Sequence, residues 1–290
     1  MTLHLDDDDT TPTENATVLR ELAATLAGYQ LGVVDWGAAT SPGMRRRVNE
    51  DAWGRRGDLF VIADGMGGRG GGAMAARTSI DRFVQRAAGS GGSPDWRAIV
   101  EAVNDDVLAA AAAQGIARVG TTLLASVIGG PLVTLVHLGD SRAYRLTRAA
   151  DAPPERSTGG AGERQPADRL DVLTHDHNVR AELLAAGLDV RDYRDRGVAL
   201  HGLTSFIGLE HEVLRVDVLA VPVRSGDRIL LCTDGVYRQL DDDQLRLALG
   251  SGTARYAAEG LVEQADRTGG KDNSTAVVVE VGVTNAGNDG

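Results

Sequence analysis

The chain is poor in several features that would define a protein quickly, and each shortage excludes something. It has one cysteine, Cys232, so no intramolecular disulfide can form, and that usage fits a reducing compartment. Aromatic residues occupy only 4% of the 290 positions, which leaves the core to valine, leucine, isoleucine and alanine. No run of about 18 consecutive apolar residues occurs, so no membrane-spanning helix is expected. The N-terminus lacks the basic-then-apolar order of a signal peptide, and the expected location is cytoplasmic. Positive charge is in deficit: 30 basic against 41 acidic residues give a formal net charge of −11. That balance repels phosphate backbones and argues against a nucleic-acid partner.

What the chain does have is a hydrophobic fraction of 42%, enough for one large domain, and aspartates that recur at the ends of strand-like runs. Asp64 follows Leu59-Phe60-Val61-Ile62-Ala63, Asp140 follows Val133 to Gly139, and Asp234 follows Ile229-Leu230-Leu231-Cys232-Thr233. Asp51 and Asp272 sit in Asn49-Glu50-Asp51 and Lys271-Asp272-Asn273. A buried strand that ends in Asp carries a carboxylate to the rim of a sheet. Several side by side pool negative charge, which is tolerable where cations sit among them. All-oxygen donors suit hard divalent ions such as Mg²⁺ and Mn²⁺.

Residues 1–28 read as a flexible acidic tail with a short helix over Val18 to Leu26, and the domain as 29–283. Strands are expected at Leu31–Thr40, Asp58–Asp64, Thr121–Ile128, Leu132–Leu138, Ser141–Leu146, Val172–Thr174, Glu212–Val218, Asp227–Thr233 and Asn273–Val281. Helical spacing marks Ala73–Ala88, with Ala76, Ile80, Phe83 and Ala87 on one face. A second helix, capped by Ser93 with Pro94 in its first position, carries Trp96, Ile99, Val100, Val103, Val107 and Leu108. Further helices are expected at Val179–Gly187, Asp241–Leu249 and Ala254–Arg267. Residues 149–168 read as a flexible inserted loop, 179–208 as a flap region and 284–290 as a disordered end. Strands with few βαβ crossovers, flanked by two helix pairs, predict an α+β fold: an α-β-β-α sandwich of two mainly antiparallel sheets.

The motifs, in order, are Arg46…Asn49-Glu50-Asp51, Ala63-Asp64-Gly65-Met66-Gly67-Gly68, Gly120-Thr121-Thr122, Gly139-Asp140-Ser141-Arg142, Leu173-Thr174-His175-Asp176-His177, Cys232-Thr233-Asp234-Gly235 and Asp272-Asn273-Ser274-Thr275. From about Leu31 to Val281 this pattern resembles the bacterial form of the PP2C-class (PPM) metal-dependent serine/threonine protein phosphatases. The resemblance implies hydrolysis of phosphoserine and phosphothreonine in proteins by a water shared between two Mn²⁺ or Mg²⁺ ions, opposing Ser/Thr kinases. It implies that Asp64, Asp234, Asp272 and the Gly65 carbonyl ligate metal, and that Asp140, sharing Asp234, binds a third ion. It implies that Asp51 holds metal-bound water without touching metal, and that Arg46, flanked by Arg45 and Arg47, grips phosphate. Two ions roughly 3.5–4 Å apart activate water and neutralise phosphoryl oxygens. The implied partners are phosphorylated proteins, and the chain is expected to be a monomer. Relatives often have His where Arg69 stands here, and Leu203-Thr204-Ser205-Phe206-Ile207-Gly208 departs from their Leu-Thr-Arg-Ala-Leu-Gly.

Other readings compete with this one. A single Asp-Gly is an ordinary turn, but seven motifs in order are not. Gly65-x-Gly67-x-x-Gly70 fits a dinucleotide fingerprint, yet Asp64 at the strand end would repel pyrophosphate. Cys232 and Arg238 have the spacing of a cysteine phosphatase, yet Asp234 between them opposes a thiolate, so Cys232 reads as a buried strand residue. The histidines form no zinc spacing; His177 reads as a hydrogen-bonding support and Trp53 as core. A non-catalytic phosphoprotein-binding relative, or a phosphatase of anti-sigma-factor antagonists, remains the alternative function.

Overall fold

A computed structural model describes residues 3–4, 31–67, 70–90, 94–149, 168–210 and 213–284. Among them, two antiparallel sheets lie face to face. The first runs β1 (Leu3–His4), β11 (Asp217–Pro222), β8 (Leu132–Leu138), β7 (Leu123–Gly129), β4 (Leu59–Ala63) and β3 (Ala52–Arg56). The second runs β10 (Arg169–Val172), β9 (Arg142–Thr147), β12 (Arg228–Cys232), β13 (Ser274–Val283) and β2 (Leu31–Ser41). A short ladder pairs β5 (Gly65–Met66) with β6 (Gly120–Thr121). The helices are α1 (Gly71–Gly89), α2 (Trp96–Ala113), α3 (Val179–Ala185), α4 (Val190–Asp195), α5 (Asp234–Tyr237), α6 (Asp242–Leu249) and α7 (Ala254–Arg267).

Strand alternation builds the layers. Phe60 and Ile62 of β4 point between the sheets, where they meet Ile229, Leu231, Val277 and Val279. Their neighbours Leu59, Val61 and Ala63 face the other way, onto Ala76, Ile80 and Phe83 of α1 and Val100, Val103 and Val107 of α2. Leu230, Cys232, Ala276 and Val278 face Leu245 and Leu249 of α6 and Ala257, Ala258 and Leu261 of α7. Period two in the strands and the helical stripe thus produce the expected α-β-β-α order. With few aromatics, the layers close on aliphatic side chains; Phe83 stacked on Trp96 at 5.7 Å is an exception on the α1–α2 side.

Several boundaries differ from the sequence reading. The second helix begins at Trp96 and is capped by Asp95, whose side chain accepts from the Ala98 N–H at 3.1 Å; Pro94 lies before the cap, and Ser93 lies outside the described residues. The strand expected at Glu212–Val218 runs instead over Asp217–Pro222, because that segment pairs with β8. Leu214 and Val216 turn onto the helical layer, and Val213 is exposed. The strand expected at Val172–Thr174 is Arg169–Val172, paired with β9; Thr174 accepts from the Ala143 N–H through its hydroxyl. The flap region contains α3 and α4, and its end is anchored: Ile207 is buried and bridged to Thr121, and Asn104 of α2 binds the Gly208 N–H at 2.7 Å. Trp53, read as core, lies on the edge strand β3 at 36% exposure, tilted against Trp36. The acidic tail and its Val18 to Leu26 helix, nearly all of the 149–168 loop, and the end beyond Thr284 lie outside the described residues; Leu3–His4 pair with Leu219 and Ala220.

Candidate active site

Strand ends from both sheets converge at one end of the sandwich. Asp64 leaves β4 and Asp140 leaves β8 one residue after Leu138-Gly139, both from the first sheet. Asp234 leaves β12 as the first residue of α5, and Asp272 precedes β13, both from the second. Asp51, just before β3, is buried at the base. Above it opens a cleft of about 280 Å³, lined by Arg46, Asp64, Gly65, Asp140, Asp234 and Asp272 among others. The structure therefore lines one cleft with Arg46, Asp64, Gly65, Asp140, Asp234 and Asp272, and buries Asp51 near Asp64, Asp234 and Asp272 without placing it in the lining. Of the three consecutive arginines, it is Arg46 that lines the cleft.

Local bonding holds each carboxylate in place. The Asp64 N–H donates to Thr122 Oγ1 at 2.9 Å, and its carbonyl accepts from Thr121 Oγ1 at 2.9 Å and from the Thr122 N–H at 3.0 Å. Gly65 passes so close to the start of α1 that an added Cβ would run into the Gly72 carbonyl and the Glu50 carbonyl. Asp51 Oδ2 accepts from Thr275 Oγ1 at 2.7 Å and Thr233 Oγ1 at 2.9 Å, while its Oδ1 is buried with no protein partner. Asn273 ties the arginine loop to β13: its amide donates to the carbonyls of Pro42 and Val48, both at 3.0 Å, and its Oδ1 accepts from the Glu50 N–H at 2.8 Å.

The electrostatics are those of a site short of positive charge. Burial pushes Asp51 up to about 7; the two threonine hydroxyls oppose this, and Asp234 and Asp272 add to it. Asp64 is held well above the ordinary carboxylate range by burial and then by Asp51, Asp234 and Asp140. Burial and Asp234 raise Asp140 to about 6, with Arg238 pulling the other way. Burial also raises Asp234, again against Arg238. Four carboxylates that resist ionisation together, Asp51, Asp64, Asp140 and Asp234, with one buried oxygen left unpaired, fit hard divalent cations.

Two arginines already answer part of that charge. Arg46 Nη2 donates to Asp272 Oδ2 at 2.8 Å, with 54% of its side chain exposed at the mouth of the cleft. Arg238 sits deeper. Its Nη2 meets Asp140 Oδ2 at 2.9 Å and its Nη1 meets Asp234 Oδ2 at 2.8 Å. Sequence reasoning met Arg238 only as a spacing partner of Cys232. The missed signal is its place one helical turn after Asp234, at the C-cap of α5, which brings the two side chains together. Asn273, Thr233 and Thr275 lay within the motifs but were given no role, and Glu50 and His201 also line the cleft. Cys232 is buried, with its thiol pushed up by burial, as its strand position implies.

A second group of ligand-type side chains lies behind the site. His137, His177 and Asp217 place ligand atoms within 4.8 Å of one another. The Gly139 N–H donates to His177 Nδ1 at 3.3 Å, so the ring proton sits on Nε2 and is given to Asp217 Oδ2 at 3.0 Å. Both nitrogens of His177 are spent. Burial alone would raise Asp217, but the hydrogen bond it accepts from His177 holds it below the usual carboxylate range. The pair works as a strut: His177 grips Gly139 through its ring and through its own N–H to the Gly139 carbonyl at 2.8 Å, immediately before Asp140.

The family model "Protein phosphatase 2C" matches residues 44–265. The chain is 29% identical to a Listeria monocytogenes protein named serine/threonine phosphatase stp, over 86% of this chain and 97% of that one. It is 30% identical to the Mycobacterium tuberculosis serine/threonine protein phosphatase PstP, over 86% of this chain and 45% of that one. The crystal structure of the PstP catalytic domain in complex with two manganese ions superposes with a TM-score of 0.69 at 28% identity, covering 87% of this chain and 99% of that one.

Proposed function

The chain belongs to the protein phosphatase 2C family, and from that premise we propose that its acidic cleft removes phosphate from phosphoserine and phosphothreonine with the aid of two divalent ions. The activity class is that of a metal-dependent protein-serine/threonine phosphatase. The observation that carries the reading is the meeting of four aspartates at strand ends of two sheets around one cleft, with a fifth, Asp51, buried beside them and its Oδ1 unpaired.

Asp64, Asp234, Asp272 and the Gly65 carbonyl would hold the ions, and Asp140 adds charge beside Asp234. When bound, two Mn²⁺ or Mg²⁺ ions supply an activated water and neutralise oxygens as charge moves to the leaving group. Asp51 is fixed by two threonine hydroxyls through one oxygen, so the other is free to orient water. Arg46 rests on Asp272 and is exposed enough to turn its planar fork onto two phosphate oxygens. Asn273 keeps the Arg46 loop in register with Asp272. The substrates are phosphorylated proteins, and the opposing enzymes are Ser/Thr kinases. Among the described residues, no helix is long and apolar enough to cross a membrane.

Hydrolysis of a phosphothreonine peptide with Mn²⁺, repeated with excess EDTA, tests the reading. Turnover that vanishes with EDTA and returns with Mn²⁺ is expected. Turnover that is indifferent to EDTA, or absent in a folded sample with either ion, rejects it.

A further inference from the structure

We infer that Arg238 closes the third cation position of this centre with its own guanidinium, so that the chain takes two divalent ions and not three. The inference rests on the metal-dependent reading above. The resemblance to bacterial relatives implies a third ion between Asp140 and Asp234, and in this chain those two carboxylates are bridged by one side chain. Two different nitrogens of the Arg238 fork are used, Nη2 to Asp140 at 2.9 Å and Nη1 to Asp234 at 2.8 Å. A planar fork that spans two carboxylates is a strong and geometrically specific arrangement.

The guanidinium is held there by more than the two acids. Arg238 caps the C-terminus of α5 four residues after Asp234, so the helical turn returns its side chain to Asp234. The adjacent Tyr237 donates its hydroxyl to the Asp140 carbonyl at 2.9 Å, which moors α5 to the Asp140 segment. Arg142 stacks over the Tyr237 ring at 3.9 Å and is fixed in turn by both oxygens of Asp176, at 2.8 and 2.9 Å. Arg238 is 33% exposed, enclosed enough for its charge to count. A divalent ion entering between Asp140 and Asp234 would have to expel this cation or sit against it, and like charges repel most where water is scarce. A fixed guanidinium also needs no supply of metal, so charge balance at Asp140 becomes independent of metal concentration.

The test counts ions. Full-length protein is dialysed to equilibrium against Mn²⁺ over a range up to millimolar, and bound manganese per chain is measured for wild type, Arg238→Ala, Arg238→Gln and Arg238→Lys. Two ions are expected in wild type and in the lysine variant, which keeps the charge, and three in the alanine and glutamine variants. The glutamine variant serves if alanine fails to fold. Three ions in wild type, or two in all folded variants, overturns the assignment of Arg238 while leaving the two-ion reading intact. Fewer than two ions in wild type overturns the metal-dependent reading itself.

Discussion

Replacing Asp140 with asparagine should stabilise the metal-free protein while removing a carboxylate from its active site. Asp140 is lifted from the ordinary 3.8 to about 6, first by burial and then by Asp234. For an acid whose folded value is raised, the stabilising contribution is complete below the unfolded value and is lost as pH rises through the folded one. Asp140 therefore favours folding below 3.8 and disfavours it above about 6, and the loss accumulates between. About two pKa units correspond to about 3 kcal/mol, and residual exposure and local relaxation reduce this to about 1.5–3 kcal/mol. For a domain of this size that is a shift of about 3–8 °C in Tm. Asparagine has the same shape, its oxygen can still accept from Arg238, and Arg238 retains Asp234. Thermal melts by circular dichroism in EDTA, from pH 5 to pH 8, measure the effect. The variant should melt above wild type at pH 8, with the gap narrowing toward pH 5. A wild type that melts at or above the variant at pH 8 refutes the argument, because the carboxylate would then not be under strain.

Three further outcomes are expected. Asp64→Asn should lower metal-dependent kcat by at least about 10²–10³-fold while the far-ultraviolet circular dichroism spectrum stays unchanged, the scale set by losing one strong electrostatic partner of the reacting group. Arg46→Lys keeps the charge and loses the fork, so KM for a phosphopeptide should rise about tenfold with a smaller change in kcat; an unchanged KM removes Arg46 from phosphate binding. Arg228, buried in β12, pairs with Glu280 and donates to the carbonyls of Leu249, Ser251 and Gly252 at the end of α6; Arg228→Ala should cost about 2–4 kcal/mol in urea unfolding with little effect on metal binding.

The layered fold and the aspartate cluster were legible because they rest on short-range patterns. Alternation in Leu59–Ala63 and Arg228–Cys232 sets which residues face which layer, and the Asp that follows each strand must then appear at the rim. The misplaced elements depended on partners far away in the chain. Val213 to Val218 alternates as plausibly as Asp217–Pro222, and only pairing with β8 decides between them. Ser93 and Asp95 are equally good caps in isolation. The His177–Asp217 strut joins residues 40 apart through a tautomer that the Gly139 backbone dictates. Arg238 needed α5, a helix only four residues long, to bring it over Asp140.

The placement of the acids on two separate sheets has a mechanical side. Asp64 and Asp140 hang from one slab and Asp234 and Asp272 from the other, and the slabs are bound mainly by greasy contact such as Phe60 and Ile62 against Leu231 and Val277. Such contact resists separation far better than it resists sliding, so the cleft behaves like a pair of jaws whose alignment is set by its hinge plate. A methylene trimmed from Leu231, deep in that plate, offsets one jaw against the other. Such an offset is felt at the four carboxylates as well as in the core.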